Sequence, residues 1–209
     1  MTTVLWFKRD LRVGDHAALA RAAVLGDVVP LYVFEPDYWA QPDVSGRQCA
    51  FVKESVAELS DALAALGAPL VVRVGRITDV LDSLPNVVTL ISHEETGGDW
   101  TYARDRDVAE WCRANGVMWQ ELAQSGVVRR LNGRDGWAKQ RNAFLRRAPC
   151  DVPEALSGPT LASDPVPDDL TPTILALSVK SAGEVRGWIC STVFSTPEGK
   201  PIGATCPRP

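Results

Sequence analysis

Short apolar runs alternate with longer amphipathic stretches through residue 123, and that alternation limits the fold more than any other feature. "TVLWF" (3–7) is continuously apolar, as a strand covered on both faces must be. "VVPLYVF" (28–34), "PLVVRV" (69–74), "VVTLISH" (87–93) and "VMWQELA" (117–123) predict four further strands. Pro30 belongs near the start of its strand, where a missing N–H is tolerated. Helical patterns lie between. "DHAALARAAVLG" (15–26) turns Ala18, Leu19 and Ala22 inward, with Asp15 as the expected N-cap and Gly26 as the stop. Residues 45–67 carry Val52, Val56, Leu59, Leu63 and Leu66 on one face and end at Gly67. "ITDVLDSL" (77–84) predicts a short helix, and "YARDRDVAEWCRANG" (102–116) a longer one with Val108, Trp111 and Cys112 inward. Strands and helices alternating at this spacing imply right-handed crossovers and a doubly wound, five-stranded parallel sheet of α/β class.

Composition narrows the function. At 209 residues, 45% hydrophobic and 23% charged, the chain has ample material for a core. A net charge of −4 and a pI near 5.3 exclude a surface built throughout for nucleic acid, though not a local basic patch. Met1–Phe7 meets Lys8 too soon to be a signal sequence, and no run reaches membrane-spanning length. Cys49, Cys112, Cys150, Cys190 and Cys206 are odd in number and without a CxxC pair. They read as free thiols in a reducing, cytoplasmic setting, with neither a disulfide framework nor a zinc site. His16 and His93 are the only histidines, so a histidine-based metal cluster is not expected.

The loop leaving the first strand is the most unusual stretch. A Rossmann-like fold that binds a dinucleotide places glycines there to cradle the pyrophosphate; this chain places Lys8, Arg9, Asp10, Arg12 and Asp15, with only Gly14 among them. Ion pairs pinning the loop over the sheet are one reading. The position favours another, because ligands of open α/β sheets collect at the carboxyl ends of the strands. "VFEPDYW" brings Phe34 and Glu35 to that edge, and "SHEETGGDW" brings Glu94, Glu95 and Thr96. Aromatic faces, carboxylates and arginines together suit a flat heteroaromatic ligand with hydrogen-bonding edges. A stress-type nucleotide-binding protein of similar fold loses ground because no glycine-rich phosphate loop appears.

The same loop carries a resemblance. "WFKRDLRVGDHAAL" resembles the N-terminal signature of the DNA photolyase/cryptochrome family, which reads W-F-R-x-D-L-R-x-x-D-N-x-A-L. Trp6, Phe7, Arg9, Asp10, Leu11, Arg12, Asp15, Ala18 and Leu19 fit it, with His16 where Asn is usual. "RQCAFVKESVAEL", "YARDRDVAEW" and "NGRDGWAKQRNAF" are similar to later family segments, so the resemblance spans residues 1–147. It implies an α/β domain that holds an antenna chromophore and passes excitation to a larger helical domain. That second domain holds FAD and repairs damaged DNA by electron transfer from photoexcited reduced flavin. By position, Phe34, Glu35, Arg47 and Glu95 fall where deazaflavin- or flavin-type members line the antenna pocket, and Arg9, Asp10 and Thr96 join them as candidate contacts. Folate-type members use an Asn-Glu pair where this chain has Tyr102 and Ala103, so a folate antenna is disfavoured.

Beyond Gly126 the rhythm breaks. "VVRRLNGRDGWAKQRNAFLRRA" is basic and predicts a loop, then a helix anchored by Trp137, Phe144 and Leu145; its charge suits either DNA phosphates or a solvated face. The expected division is an antenna domain over 1–148, a proline-rich interdomain linker and helical start over 149–187, and a non-native tail over 188–209. The tail rests on codon arithmetic. Shifted by one nucleotide from Gly187, "GWICSTVFSTPEGKPIGATCPRP" can encode LDLLNRFLNARGQTYRRDMSSP, an amphipathic helix with the family's ending. A frameshift that removes the FAD domain is therefore expected, and the adjoining coding DNA tests it. Such a chain would bind damaged DNA weakly or not at all and would be a monomer or prone to aggregate through an uncovered apolar face. The alternative is a free-standing flavin- or nucleotide-binding module acting as carrier or light sensor.

Overall fold

The computed structural model describes residues 2–129, 131, 133, 135–168 and 170. Five strands, β1 (Thr2–Phe7), β2 (Val28–Phe34), β3 (Val71–Val74), β4 (Val87–His93) and β5 (Met118–Leu122), form one sheet in the order β3-β2-β1-β4-β5. Every neighbouring pair is parallel. The chain winds one way from β1 to β3 and the other way from β4 to β5, so the switch point lies between the ends of β1 and β4.

Two apolar layers cover the sheet. Leu5 and Phe7 of β1 face α1 (Ala17–Ala23) and α3 (Gly46–Leu66), packing with Leu19, Val56, Leu59 and Leu63. Val4 and Trp6 face α4 (Ile77–Ser83) and α5 (Asp99–Asn115), packing with Ile77, Leu81, Val108 and Cys112. Strand side chains alternate between faces, so β1, covered on both, is apolar from Val4 to Phe7, which is why it reads as an unbroken run. Trp111, expected inward with Val108 and Cys112, lies at the edge of that second layer. A four-residue helix, α2 (Pro36–Trp39), leaves β2 directly and buries Trp39.

Helix boundaries follow local chemistry. Ser45 and Gln48 form a reciprocal capping box at the start of α3, and Gly67 ends it with φ +101°. The start of α1 corrects the expectation from sequence. His16, not Asp15, is the N-cap, its Nδ1 accepting the Leu19 N–H at 2.9 Å. Asp15 sits at φ +47° and its carboxylate accepts the Cys150 N–H instead. The α1 helix ends at Ala23, ahead of Gly26. Pro30 is tolerated because β2 pairs with β3 only from Leu31 onward.

Residues 150–164 do not hang free. Leu156 is buried against α1 and α3 in the first layer, and its N–H donates to the Leu66 carbonyl. The Ser157 carbonyl accepts the Val28 N–H, Ser163 Oγ accepts the Val72 N–H, and Asp164 N–H donates to the Val72 carbonyl. The proline-rich stretch is thus a strap that caps the start of β2 and covers the outer edge of β3. The helix α6 (Trp137–Leu145) forms where expected but buries no side chain, with Trp137 and Leu145 exposed. Its apolar residues stand among Lys139, Gln140, Arg141 and Asn142 and make no continuous stripe, so it lies on the outside and Arg141 and Arg147 stack on Trp137 and Phe144. Among the described residues no helix is long and apolar enough to cross a membrane. Cys49, Cys112 and Cys150 are free thiols. The proposed frameshifted tail lies outside the described residues.

Candidate functional site

Charged side chains from the loops after β1, β2 and β4, from α5 and from β5 meet at one edge of the sheet. Arg104, on α5, stands at their centre with its side chain 11% exposed. Its Nη1 donates to Glu35 Oε2 at 3.1 Å, and its Nη2 to Glu95 Oε2 and to Asp105 Oδ1. Burial works against its charge, but Glu35, Glu95 and Asp105 outweigh it and hold the guanidinium protonated. The Glu95 Oε1 takes Arg9 Nε at 2.8 Å, and Glu35 Oε1 accepts the Ile77 N–H that opens α4. Both glutamates therefore have both oxygens engaged. Burial raises the Glu35 pKa, with Arg104 pulling against it.

Behind this lies a second layer. The Lys8 Nζ is 3.1 Å from Asp105 and 3.7 Å from Glu121, over the rings of Trp6 and Trp119. Its pKa is lowered by burial, against the opposing pull of Asp105 and Glu121. Arg129 closes the set, reaching Glu121, Asp105 and the Glu95 carbonyl. Four cations and four carboxylates thus pair at the sheet's edge, the most buried of them, Lys8, Glu35, Glu95, Arg104 and Asp105, compensated as buried charges must be.

Asp10 belongs to a separate cluster under the loop. Its Oδ1 accepts the Lys8 N–H, and its Oδ2 lies 2.6 Å from His93 Nδ1 and 2.9 Å from His16 Nε2, the latter off the line of a good hydrogen bond. The three side chains bring their polar atoms within 4.8 Å of one another, which sequence reading had not anticipated for the two histidines. The far nitrogens decide what this cluster does. His16 Nδ1 accepts the Leu19 N–H and His93 Nε2 the Ala18 N–H, so each neutral ring carries its proton toward Asp10. A cation would have to displace both protons. The arrangement is a neutral clasp on a carboxylate, tying the β1 loop and the end of β4 to the start of α1. Burial alone would raise the Asp10 pKa, but the pull of the His16 and His93 rings beside it outweighs that and holds it below the ordinary range.

Above the network opens a cavity of about 580 Å³, between the end of β1 and the first turns of α3. Trp6, Tyr38, Trp39, Phe51 and Val52 supply apolar wall. Arg9, Glu35, Arg47, Glu95 and Arg104 supply the polar part. Arg9 bridges the mouth, Nη2 donating to Tyr38 Oη at 3.0 Å while its charge lies over the Tyr38 ring. Of the residues singled out from sequence, Arg9, Glu35, Arg47 and Glu95 come together on this wall. Three do not. Phe34 is fully buried in the first apolar layer, Asp10 is locked in the histidine clasp, and Thr96 is solvent-exposed. Tyr38, Trp39, Phe51 and Arg104 were missed. The "DYW" after Glu35 and the arginine–aspartate run of α5 were the available signals. A smaller hollow of about 210 Å³, on the other side of the Glu35–Arg104 pair, is lined by Ile77, Trp100, Ala103 and Asp107.

A doubly wound parallel sheet with an aromatic, arginine-rimmed hollow at its carboxyl edge is the α/β arrangement in which a ligand site is expected. A family model for DNA photolyase matches residues 3–132, and the chain belongs to that family. Among its relatives, cryptochrome DASH of Natronomonas pharaonis is 31% identical over 135 residues, covering 62% of this chain and 27% of that protein. The deoxyribodipyrimidine photo-lyase of Salmonella typhimurium is 29% identical over 188 residues, covering 83% of this chain and 40% of that one. A bacterial class III photolyase from Agrobacterium tumefaciens shares the fold with a TM-score of 0.67 at 24% identity, covering 79% of this chain and 37% of its own. The archaeal photolyase of Sulfolobus tokodaii does so with a TM-score of 0.56 at 21% identity, covering 76% of this chain and 37% of its own. The chain therefore spans well under half the length of these relatives.

Proposed function

We propose that the cavity holds a flat, light-absorbing heterocycle of flavin or deazaflavin type, and that this α/β unit collects light for a flavin-bearing helical domain. The supporting observation is the hollow itself: it has room for a chromophore ring system, is lined by the aromatic side chains of Trp6, Tyr38, Trp39 and Phe51, and has its polar rim fixed by the Arg104 network. The Sulfolobus tokodaii photolyase, whose structure holds two FAD molecules and implicates a novel light-harvesting cofactor, lends weight to the flavin type. Folate is the weaker candidate, given Tyr102 and Ala103.

In this reading residues 1–148 are the chromophore domain and the chain from 149 leads toward the helical one. FAD, damaged DNA and repair chemistry belong to the longer family proteins; this polypeptide is a cytoplasmic protein with weak or no affinity for damaged DNA, monomeric or prone to associate. The test is direct. The purified chain should take up riboflavin or FMN in one-to-one ratio with a shifted visible spectrum, and absence of uptake would overturn the reading. With FAD added and blue light supplied, thymine dimers should persist; their loss would refute the division of labour.

A further inference from the structure

The cavity wall is unbalanced in charge. Lys8, Arg9 and Arg104 are answered by Glu35, Glu95, Asp105 and Glu121 in the network described above. Arg12 lines the same hollow from the β1 loop. It gives Nε–H to the Gly14 carbonyl at 3.1 Å and Nη2 to the Asp15 carbonyl at 3.0 Å, and among the described residues it forms no ion pair. Those two bonds fix its orientation without neutralising it. A guanidinium has five N–H groups in a rigid fork, so donors remain for a ligand after both are counted. Arg47 stands on the same wall, at the start of α3. The carboxylates of the rim, by contrast, have no free oxygen to offer.

We propose that the site selects a chromophore with an anionic tail, a phosphate ester or a carboxylate, and that Arg12 is the residue that reads it. This rests on the cavity holding a flat pigment, as argued above, and adds which members of that class it takes. The ring fills the aromatic part of the hollow, and the tail reaches the loop where positive charge has no carboxylate opposite. A charge-assisted, forked contact with phosphate or carboxylate is among the stronger polar interactions available to a protein. A neutral ribityl tail cannot use it.

FMN and riboflavin share one ring system and differ by the phosphate, so fluorescence titration of the full chain with each isolates the tail. FMN should bind at least about tenfold tighter at low salt, with the advantage shrinking as salt rises. A 10-carboxymethyl flavin separates the two anions: tight binding extends recognition to carboxylates, and binding no better than riboflavin limits it to phosphate. Arg12→Gln should erase the FMN advantage while leaving riboflavin affinity in place, and Arg12→Lys should keep part of it. Should Arg12→Gln lose riboflavin as well, the loop has been disturbed and Arg12→Lys with the salt series decides: a salt-independent advantage overturns the proposal. Equal affinity for FMN and riboflavin in the unaltered chain overturns it while sparing the pigment-binding reading. Failure to bind either removes both.

Discussion

Arg104 answers two buried carboxylates that belong to different strands' ends, Glu35 after β2 and Glu95 after β4. Replacing it with Gln leaves those charges facing each other with too little compensation. We expect Arg104→Gln to lower unfolding free energy by about 3–5 kcal/mol, the range for breaking a buried pair from one side, and urea denaturation measures it. A loss under about 1 kcal/mol would mean the network is solvated and weak. The histidine clasp makes a second residue-scale prediction. Burial lowers the His16 pKa below its ordinary 6.5, with Asp10 pulling upward and His93 and Arg12 downward. The unfolded chain therefore takes up its proton first as pH falls, so His16's contribution is complete above about 6.5 and declines below it. Asp10, held low, adds a further loss only under more acid conditions. In His16→Asn a side-chain acceptor for the Leu19 N–H survives but the titration does not. Thermal melts across pH should show a shallower acid limb in that variant; an unchanged limb would remove His16 from the account.

At the scale of elements, the strap carries the sharpest test. A Cβ on Gly158 would stand 2.0 Å from the Val28 carbonyl oxygen, backbone that cannot step aside, and Leu156 is 8% exposed within the first apolar layer. Gly158→Ala should peel the strap from the start of β2, and Leu156→Ala should cost about 2–5 kcal/mol. Hydrogen exchange reads both: the amides of Val28 and Val72, bonded to Ser157 and Ser163, should lose protection while the β1–β4 ladder keeps it. Uniform loss would mean the strap and sheet unfold as one. None of this was legible beforehand. A proline-rich, polar stretch has no hydrophobic period, and its bonds to the sheet are backbone contacts that leave no mark in side-chain pattern. The central strands β1 and β2 were legible for the opposite reason, since both are buried at every position and are almost wholly apolar. The cap of α1 was misplaced by one residue because Asp15 takes a left-handed conformation, which leaves His16 to face the helix.

For the whole molecule, the doubly wound parallel class and the edge where the hollow opens followed from alternation and from the rule that ligands collect at the strands' carboxyl ends, whereas the strand order β3-β2-β1-β4-β5 did not. The content of the site did not. Arg9, Glu35, Arg47 and Glu95 could be placed because motifs mark them; Tyr38 and Phe51 sit one turn beyond Glu35 and Arg47 without a motif of their own, and Arg104 meets Glu35 only across 69 residues of chain. Phe34 was assigned to the ligand because it ends a strand; the two-residue period of β2 instead turns it into the core beside Tyr32.

The aromatic wall has an optical consequence. Trp6 and Trp39 border the hollow, with Trp100 against Tyr38 just behind. Indole emission overlaps the near-ultraviolet absorption band of a flavin-type ring, and at van der Waals range energy transfer is efficient. The molecule thus carries its own occupancy gauge: filling the hollow dims its intrinsic fluorescence, and no dye need be attached to see it.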